Sequence, residues 1–85
     1  MHRLLFTTQA KKDYEALHGK LKAQVDKGLE RICKNPHVGK PLGGELKGSR
    51  SERVSSFRII YRIYEKTVEV LVLVIEHRKS VYGGH

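Results

Sequence analysis

The sequence predicts an α+β fold: two N-terminal helices packed on one face of a small, mainly antiparallel four-stranded sheet, in the order β-α-α-β-β-β. Three observations carry that prediction. Two consecutive runs, Phe57 to Tyr64 and Val68 to Ile75, are rich in β-branched and aromatic residues and are separated by a polar break at Glu65-Lys66, as in a β-hairpin. Leu21, Val25, Leu29 and Ile32 recur at helical spacing, and Ala10, Tyr14 and Leu17 do the same one break earlier. The chain has 85 residues, which makes one domain over 1–85. A chain of that size buries roughly 60–65% of its unfolded surface, so its core is small and any site is a surface groove.

Arg3 to Phe6 reads as a short first strand. Thr7 and Thr8 then offer side-chain oxygens to cap a helix over Gln9 to Leu17, which His18-Gly19 interrupts. The second, longer helix ends at Asn35-Pro36. Gly28 inside it either weakens the helix by about 1 kcal/mol relative to Ala or permits a close approach to a neighbour. Pro36 to Gly44 holds both prolines and three glycines and reads as a loop. A polar patch, Ser49-Arg50-Ser51-Glu52, precedes a strand around Arg53-Val54, and Ser55-Ser56 make the turn into the Phe57 strand. The run from Val68 to Ile75 is apolar at nearly every position, as in a central strand covered on both faces. Gly83-Gly84-His85 is expected to be a flexible tail.

Seventeen Lys and Arg against nine Asp and Glu give a formal net charge of +8. That excess points to a polyanionic partner such as RNA, DNA, a ribosome or an acidic protein. Cys33 is the single cysteine, which excludes an intramolecular disulfide and a cysteine-based metal cluster. The apolar run at the amino terminus is too short for a signal peptide, and no segment has the length to span a bilayer. The expectation is a reduced, soluble, cytoplasmic protein with no membrane partner.

The phosphate-binding glycine loop, the Gly-x-Ser-x-Gly elbow and the His-Glu-x-x-His motif are absent. Five histidines are scattered without metal-ligand spacing, and Asp13, Asp26 and Glu30 fall on helix faces expected to be exposed. Neither a metal nor another cofactor is therefore expected. What remains is a set of cations on rigid strands. Along the first hairpin strand, Phe57, Ile59, Tyr61 and Ile63 share the face the helices cover, while Arg58, Ile60 and Arg62 share the other. Arg62 reads as a solvated surface residue. Arg58 reads differently, because Lys47, Arg53, Arg78 and Lys79 also lie near strand ends. Fixed cations suit a phosphodiester whose transition state spreads negative charge over its oxygens, and arginine grips phosphate through two parallel hydrogen bonds. Tyr82 offers a ring for stacking on a base. For metal-free RNA cleavage by the 2′-hydroxyl, His77 is the residue of the group whose type exchanges protons near neutrality. A strand-end histidine that only packs is an equal reading. Arg58 and Arg78 are both expected to be exposed.

At these residues the chain resembles the RelE family of toxins from bacterial toxin–antitoxin modules. The resemblance rests on Lys34-Asn35-Pro36, Gly39-Lys40-Pro41-Leu42, Leu46-Lys47-Gly48, Arg53-Val54, Phe57 to Ile63, and His77-Arg78-Lys79-Ser80-Val81-Tyr82, in that order and spacing. It implies a microbial-ribonuclease-like sheet and a ribosome-dependent endoribonuclease that cuts the mRNA codon in the empty A site. Arg58 and Arg78 match the two arginines that stabilise the transition state. Tyr82 matches the tyrosine that stacks on and orients the mRNA. Lys47 and Arg53 fall where relatives place phosphate-contacting cations. His77 aligns with a lysine in some members, while other toxins of the superfamily use a nearby histidine as acid or base. Two departures stand out: Ser55-Ser56 replaces a common Gly-Asp, and no carboxy-terminal helix follows Tyr82. The implied partners are the ribosome, mRNA and a cognate antitoxin, encoded next door, that lays an acidic or amphipathic segment on the basic surface. Two other readings are a gyrase inhibitor of the related ParE branch and a non-catalytic basic nucleic-acid-binding module.

Overall fold

Residues 1–78 are described by a computed structural model of the chain. In order they form β1 (Arg3–Phe6), α1 (Thr8–Glu15), α2 (Gly19–Lys34), β2 (Lys40–Pro41), β3 (Arg50–Val54), β4 (Phe57–Tyr64) and β5 (Glu69–His77), with 3₁₀ turns at Pro36–Val38 and Gly44–Leu46. One sheet contains all five strands in the order β1-β5-β4-β3-β2. The pairs from β2 to β5 are antiparallel, and β1 runs parallel beside β5. The two helices and the antiparallel character are as the sequence predicts; the strand count is five, not four. The extra strand lies inside the expected loop, where Lys40 pairs with Ser51 and Pro41 with Arg50. An edge position tolerates Pro41, which has no N–H to contribute to a ladder.

Thr7 is the helix cap: its side-chain oxygen accepts from the Ala10 N–H at 3.0 Å, so α1 begins at Thr8. The core lies between the two helices and the sheet. Ala10, Val25 and Ile32 meet Ile59, Tyr61, Val70 and Val72 there, and all are fully buried. Gly28 belongs to that contact. A Cβ on it would stand 2.4 Å from Val54 Cγ2 and 3.3 Å from Ile59 Cδ1, so the close approach is the reason for the glycine. In Gly28→Ala a helix-propensity gain of about 1 kcal/mol opposes an overpacking cost of about 1–3 kcal/mol against stiff, β-branched Val54. The expected result in a thermal melt is a midpoint several degrees lower, about 4–8 °C per kcal/mol for a domain this small. An unchanged or higher midpoint would refute the packing argument.

The expectation that β5 is covered on both faces does not hold. Ile60 pairs with Val74 and Tyr61 with Val72, leaving Leu73 as an extra residue in a β-bulge. The bulge moves the inward set from Val70 and Val72 to Ile75, so Leu71, Leu73 and Val74 stay half-buried. β5 is central because strands flank it, while helices cover one face only. β1 ends before the bulge, and α1 serves the exposed edge of β5 beyond it. The Thr7 hydroxyl donates to the Leu73 carbonyl at 2.7 Å, and the Asp13 carboxylate accepts from the Ile75 N–H at 3.0 Å. Asp13 thus satisfies the backbone of a strand edge instead of facing solvent as expected.

The connection into β3 also differs from expectation. β3 takes in most of the polar patch, from Arg50 onward, and the patch's two charged side chains find partners. Glu52 accepts from Arg31 Nε of α2 at 3.2 Å, and Arg50 Nη1 donates to the Gly39 and His37 carbonyls at 2.6 and 3.3 Å. Arg50 sits directly across from Tyr61 in the sheet. The buried Tyr61 hydroxyl donates to the Pro36 carbonyl at 2.6 Å and accepts from the Gly39 N–H at 3.0 Å. One cross-strand pair therefore fixes the segment that delivers β2 to the sheet edge. The hairpin turn between β4 and β5 runs from Glu65 to Val68, longer than the expected break, and Val68 takes φ 54. Among the described residues no helix is long and apolar enough to cross a membrane.

Candidate functional site

The face of the sheet opposite the helices carries two side-chain rows set by strand register. Lys40, Ser51, Ile60 and Val74 follow one another across β2, β3, β4 and β5, and Arg53, Arg58 and Glu76 follow one another across β3, β4 and β5. Over these rows lies a groove of about 660 Å³. Its lining includes Lys40, Arg53, Arg58, His77 and Arg78, with Val38 and Leu42 as the apolar wall. Four of the residues expected at the site, Arg53, Arg58, His77 and Arg78, are thus brought to one concavity.

Arg58, Arg78 and His77 are each held by a different device, while Arg53 is exposed. Arg58 is half-buried, and its Nε and Nη2 donate to Glu76 Oε2 at 2.7 and 2.6 Å. Arg78 follows the last residue of β5, and its N–H donates to the Ser56 carbonyl at 2.7 Å, so the Ser55-Ser56 turn fixes where it leaves the strand. Its guanidinium lies 3.4 Å from the Ser55 carbonyl. Both arginines are half-buried, against the expectation that they are exposed. His77 pairs across the sheet with Phe57, and the two rings meet edge to face with centroids 5.1 Å apart. It lines the groove and packs at once, so the two sequence readings are not exclusive.

Lys47 is not part of this group. It lies beyond the second 3₁₀ turn, and its carbonyl accepts from Arg62 Nη2 at 3.2 Å. Arg62 also donates to Ser49 Oγ at 3.2 Å, which makes it a half-buried clamp on the 47–49 segment and corrects its reading as a solvated surface residue. Tyr82, Lys79 and the expected tail at Gly83–His85 lie outside the described residues. Sequence reasoning did not single out Lys40 or Glu76. Lys40 sits in the Gly39-Lys40-Pro41-Leu42 segment that carries part of the family resemblance, and Glu76 directly precedes His77, so both had a signal. Among the described residues no group of three or more His, Cys, Asp and Glu side chains is placed to hold a metal ion.

Four cations facing a shallow groove, with Glu52 in its lining bonded to Arg31 and Glu76 beside them in the Arg58 row, can bind an extended polyanion. Comparison with known proteins gives that surface a context. Residues 4–82 match the family model described as the ParE toxin of the type II toxin–antitoxin system parDE. Toxin RelG of Mycobacterium tuberculosis is 37% identical over 79 residues, covering 91% of each chain. The chain is a toxin of the RelE/ParE superfamily. Among solved structures, the toxin–antitoxin complex RelBE2 from Mycobacterium tuberculosis contains a chain that matches this RelE/ParE toxin with a TM-score of 0.81 and 34% identity, over 91% of this chain and 98% of that one. The isolated Escherichia coli RelE toxin matches with a TM-score of 0.79 over 99% of this chain and 94% of that one; at 22% identity it shares the fold.

Proposed function

We propose that this toxin is a ribosome-dependent endoribonuclease that cleaves the mRNA codon in the A site and so inhibits translation in the cytoplasm. The observation that carries the reading is the convergence of Lys40, Arg53, Arg58 and Arg78 on one groove. In the reaction, O2′ of one nucleotide forms a bond to the adjacent phosphorus and gives up its proton. The P–O5′ bond breaks, its electron pair stays on O5′, and O5′ takes up a proton, leaving a 2′,3′-cyclic phosphate and a 5′-hydroxyl. Arg58 and Arg78 stabilise the charge that builds on the phosphoryl oxygens, as preorganised donors do. Lys40 and Arg53 hold flanking phosphates, and Lys47 and Lys79 add further contacts to RNA. His77 carries one of the two proton transfers, and Tyr82 stacks on the codon. The neutralising partner is a cognate antitoxin, as the RelBE2 complex has for its toxin, and the +8 charge suits an acidic segment.

A second reading has its own support, since the matching family model is that of ParE. In that reading the same fold inhibits DNA gyrase and leaves RNA intact. Primer-extension mapping in cells expressing the chain separates the two. Cuts inside translated codons are the expected result; DNA damage with intact transcripts would transfer the proposal to gyrase.

A further inference from the structure

A carboxylate bonded to an arginine of an anion-binding groove needs a reason. Glu76 repels phosphate, yet it sits on the same sheet face as Arg58 and directly across from it. The neighbouring row position explains part of its presence. Arg53 is directly across from Arg58 on the other side, and like charges directly opposite on a sheet repel. Glu76 offsets that repulsion, and the bonding geometry adds a second consequence. A guanidinium has five N–H donors in a rigid plane. Glu76 Oε2 takes Nε at 2.7 Å and Nη2 at 2.6 Å, which is the side edge of that plane. The end edge, formed by Nη1 and the second N–H of Nη2, is left for an anion in the groove that Arg58 lines. A phosphate can therefore be gripped by two parallel hydrogen bonds without displacing the carboxylate.

Glu52, the carboxylate that lines the groove itself, does not compete for this role, because it is bonded to Arg31 of α2. We infer that Glu76 is the positioning residue of Arg58: it fixes the guanidinium plane so that its end edge meets the scissile phosphate. This rests on the endoribonuclease reading. Both side chains are about a quarter exposed, 28% for Arg58 and 27% for Glu76, so the pair is shielded enough to hold one geometry and open enough to work at the groove surface.

The test is single-turnover cleavage of a ribosome-bound codon by the wild-type chain, Glu76→Ala, Glu76→Gln, Arg58→Ala and the Glu76→Ala/Arg58→Ala double variant, with melting curves for each. Glu76→Ala is expected to be slower by about a hundredfold, the scale of a misplaced catalytic group. Glu76→Gln keeps an oxygen acceptor of the same shape and is expected to recover most of that loss, with an unchanged pH profile. The double variant is expected to be no slower than Arg58→Ala, because Glu76 acts only through Arg58. Wild-type speed in Glu76→Ala, or losses that add in the double variant, would overturn the inference while leaving the endoribonuclease reading intact. Equal losses in Glu76→Ala and Glu76→Gln with a changed pH profile would make Glu76 a proton acceptor and likewise overturn it. No cleavage by the wild-type chain would overturn both the inference and the reading it rests on.

Discussion

Arg78→Ala is expected to lower codon cleavage by about a thousandfold while its melting temperature stays near wild type, whereas Arg58→Ala loses activity and stability together. The difference follows from how each side chain is held. Arg78 is placed by its main chain, through the N–H bonded to the Ser56 carbonyl, and alanine keeps that bond. Its side chain gives up only a long 3.4 Å contact to the Ser55 carbonyl, so the stability change belongs to the range of ordinary surface substitutions, about 0.5 kcal/mol or less. Arg58 is held by its side chain. Removing it strands the half-buried Glu76 carboxylate without the two donors at 2.6 and 2.7 Å, a loss of about 1–3 kcal/mol. Cleavage assays paired with thermal melts of both variants check this. Equal destabilisation of the two would mean that Arg78 also holds the fold, and its loss of activity would then say nothing about chemistry.

That asymmetry was not legible in the sequence, and the reason is register. The alternation Phe57, Ile59, Tyr61, Ile63 against Arg58, Ile60, Arg62 is a local pattern, and a local period reports which face is buried. It therefore places Arg58 on the groove face without any knowledge of the partner strand. Which residue stands across from Arg58 depends on the length of the turn from Glu65 to Val68 and on the bulge at Leu73. An apolar run from Val68 to Ile75 reads the same with the bulge or without it. Removing the bulge would change which residue faces Arg58 and which β5 residues face the helices. Lys47 shows the opposite error. It is close to Arg53 in sequence, but Arg62 ties its backbone to another part of the surface, so proximity along the chain did not become proximity in the groove. The helices were read correctly because Leu21, Val25, Leu29 and Ile32 repeat a period that no distant contact has to complete.

Lys40 owes its position to the buried Tyr61 hydroxyl, and Tyr61→Phe is expected to break that anchor. The lost hydroxyl leaves the Pro36 carbonyl and the Gly39 N–H without their partner in a buried site, which costs about 1–3 kcal/mol for each unsatisfied group. Arg50 still bonds to the Gly39 and His37 carbonyls, so the segment loosens without detaching, and cleavage falls along with stability as Lys40 leaves the groove edge. Gly39→Ala reaches the same place from the other side, since a Cβ there would stand 2.4 Å from Tyr61 Oη. The two changes are expected to be less than additive in a thermal-melt cycle, because removing the hydroxyl makes room for the methyl group; strict additivity would refute a shared contact. Titration gives an independent check. Burial pushes the Tyr61 phenol above its usual value, so the folded chain resists ionisation that the unfolded chain undergoes near pH 10. Its contribution to stability is complete below that pH and is lost as pH rises from there through the folded value, at up to about 1.4 kcal/mol per pH unit. Tyr14, raised chiefly by its hydrogen bond to Asp26, adds to the same alkaline loss. In Tyr61→Phe the midpoint should therefore fall less steeply above pH 10 than in the wild type, and identical slopes would remove Tyr61 as the buried phenol that anchors the groove wall.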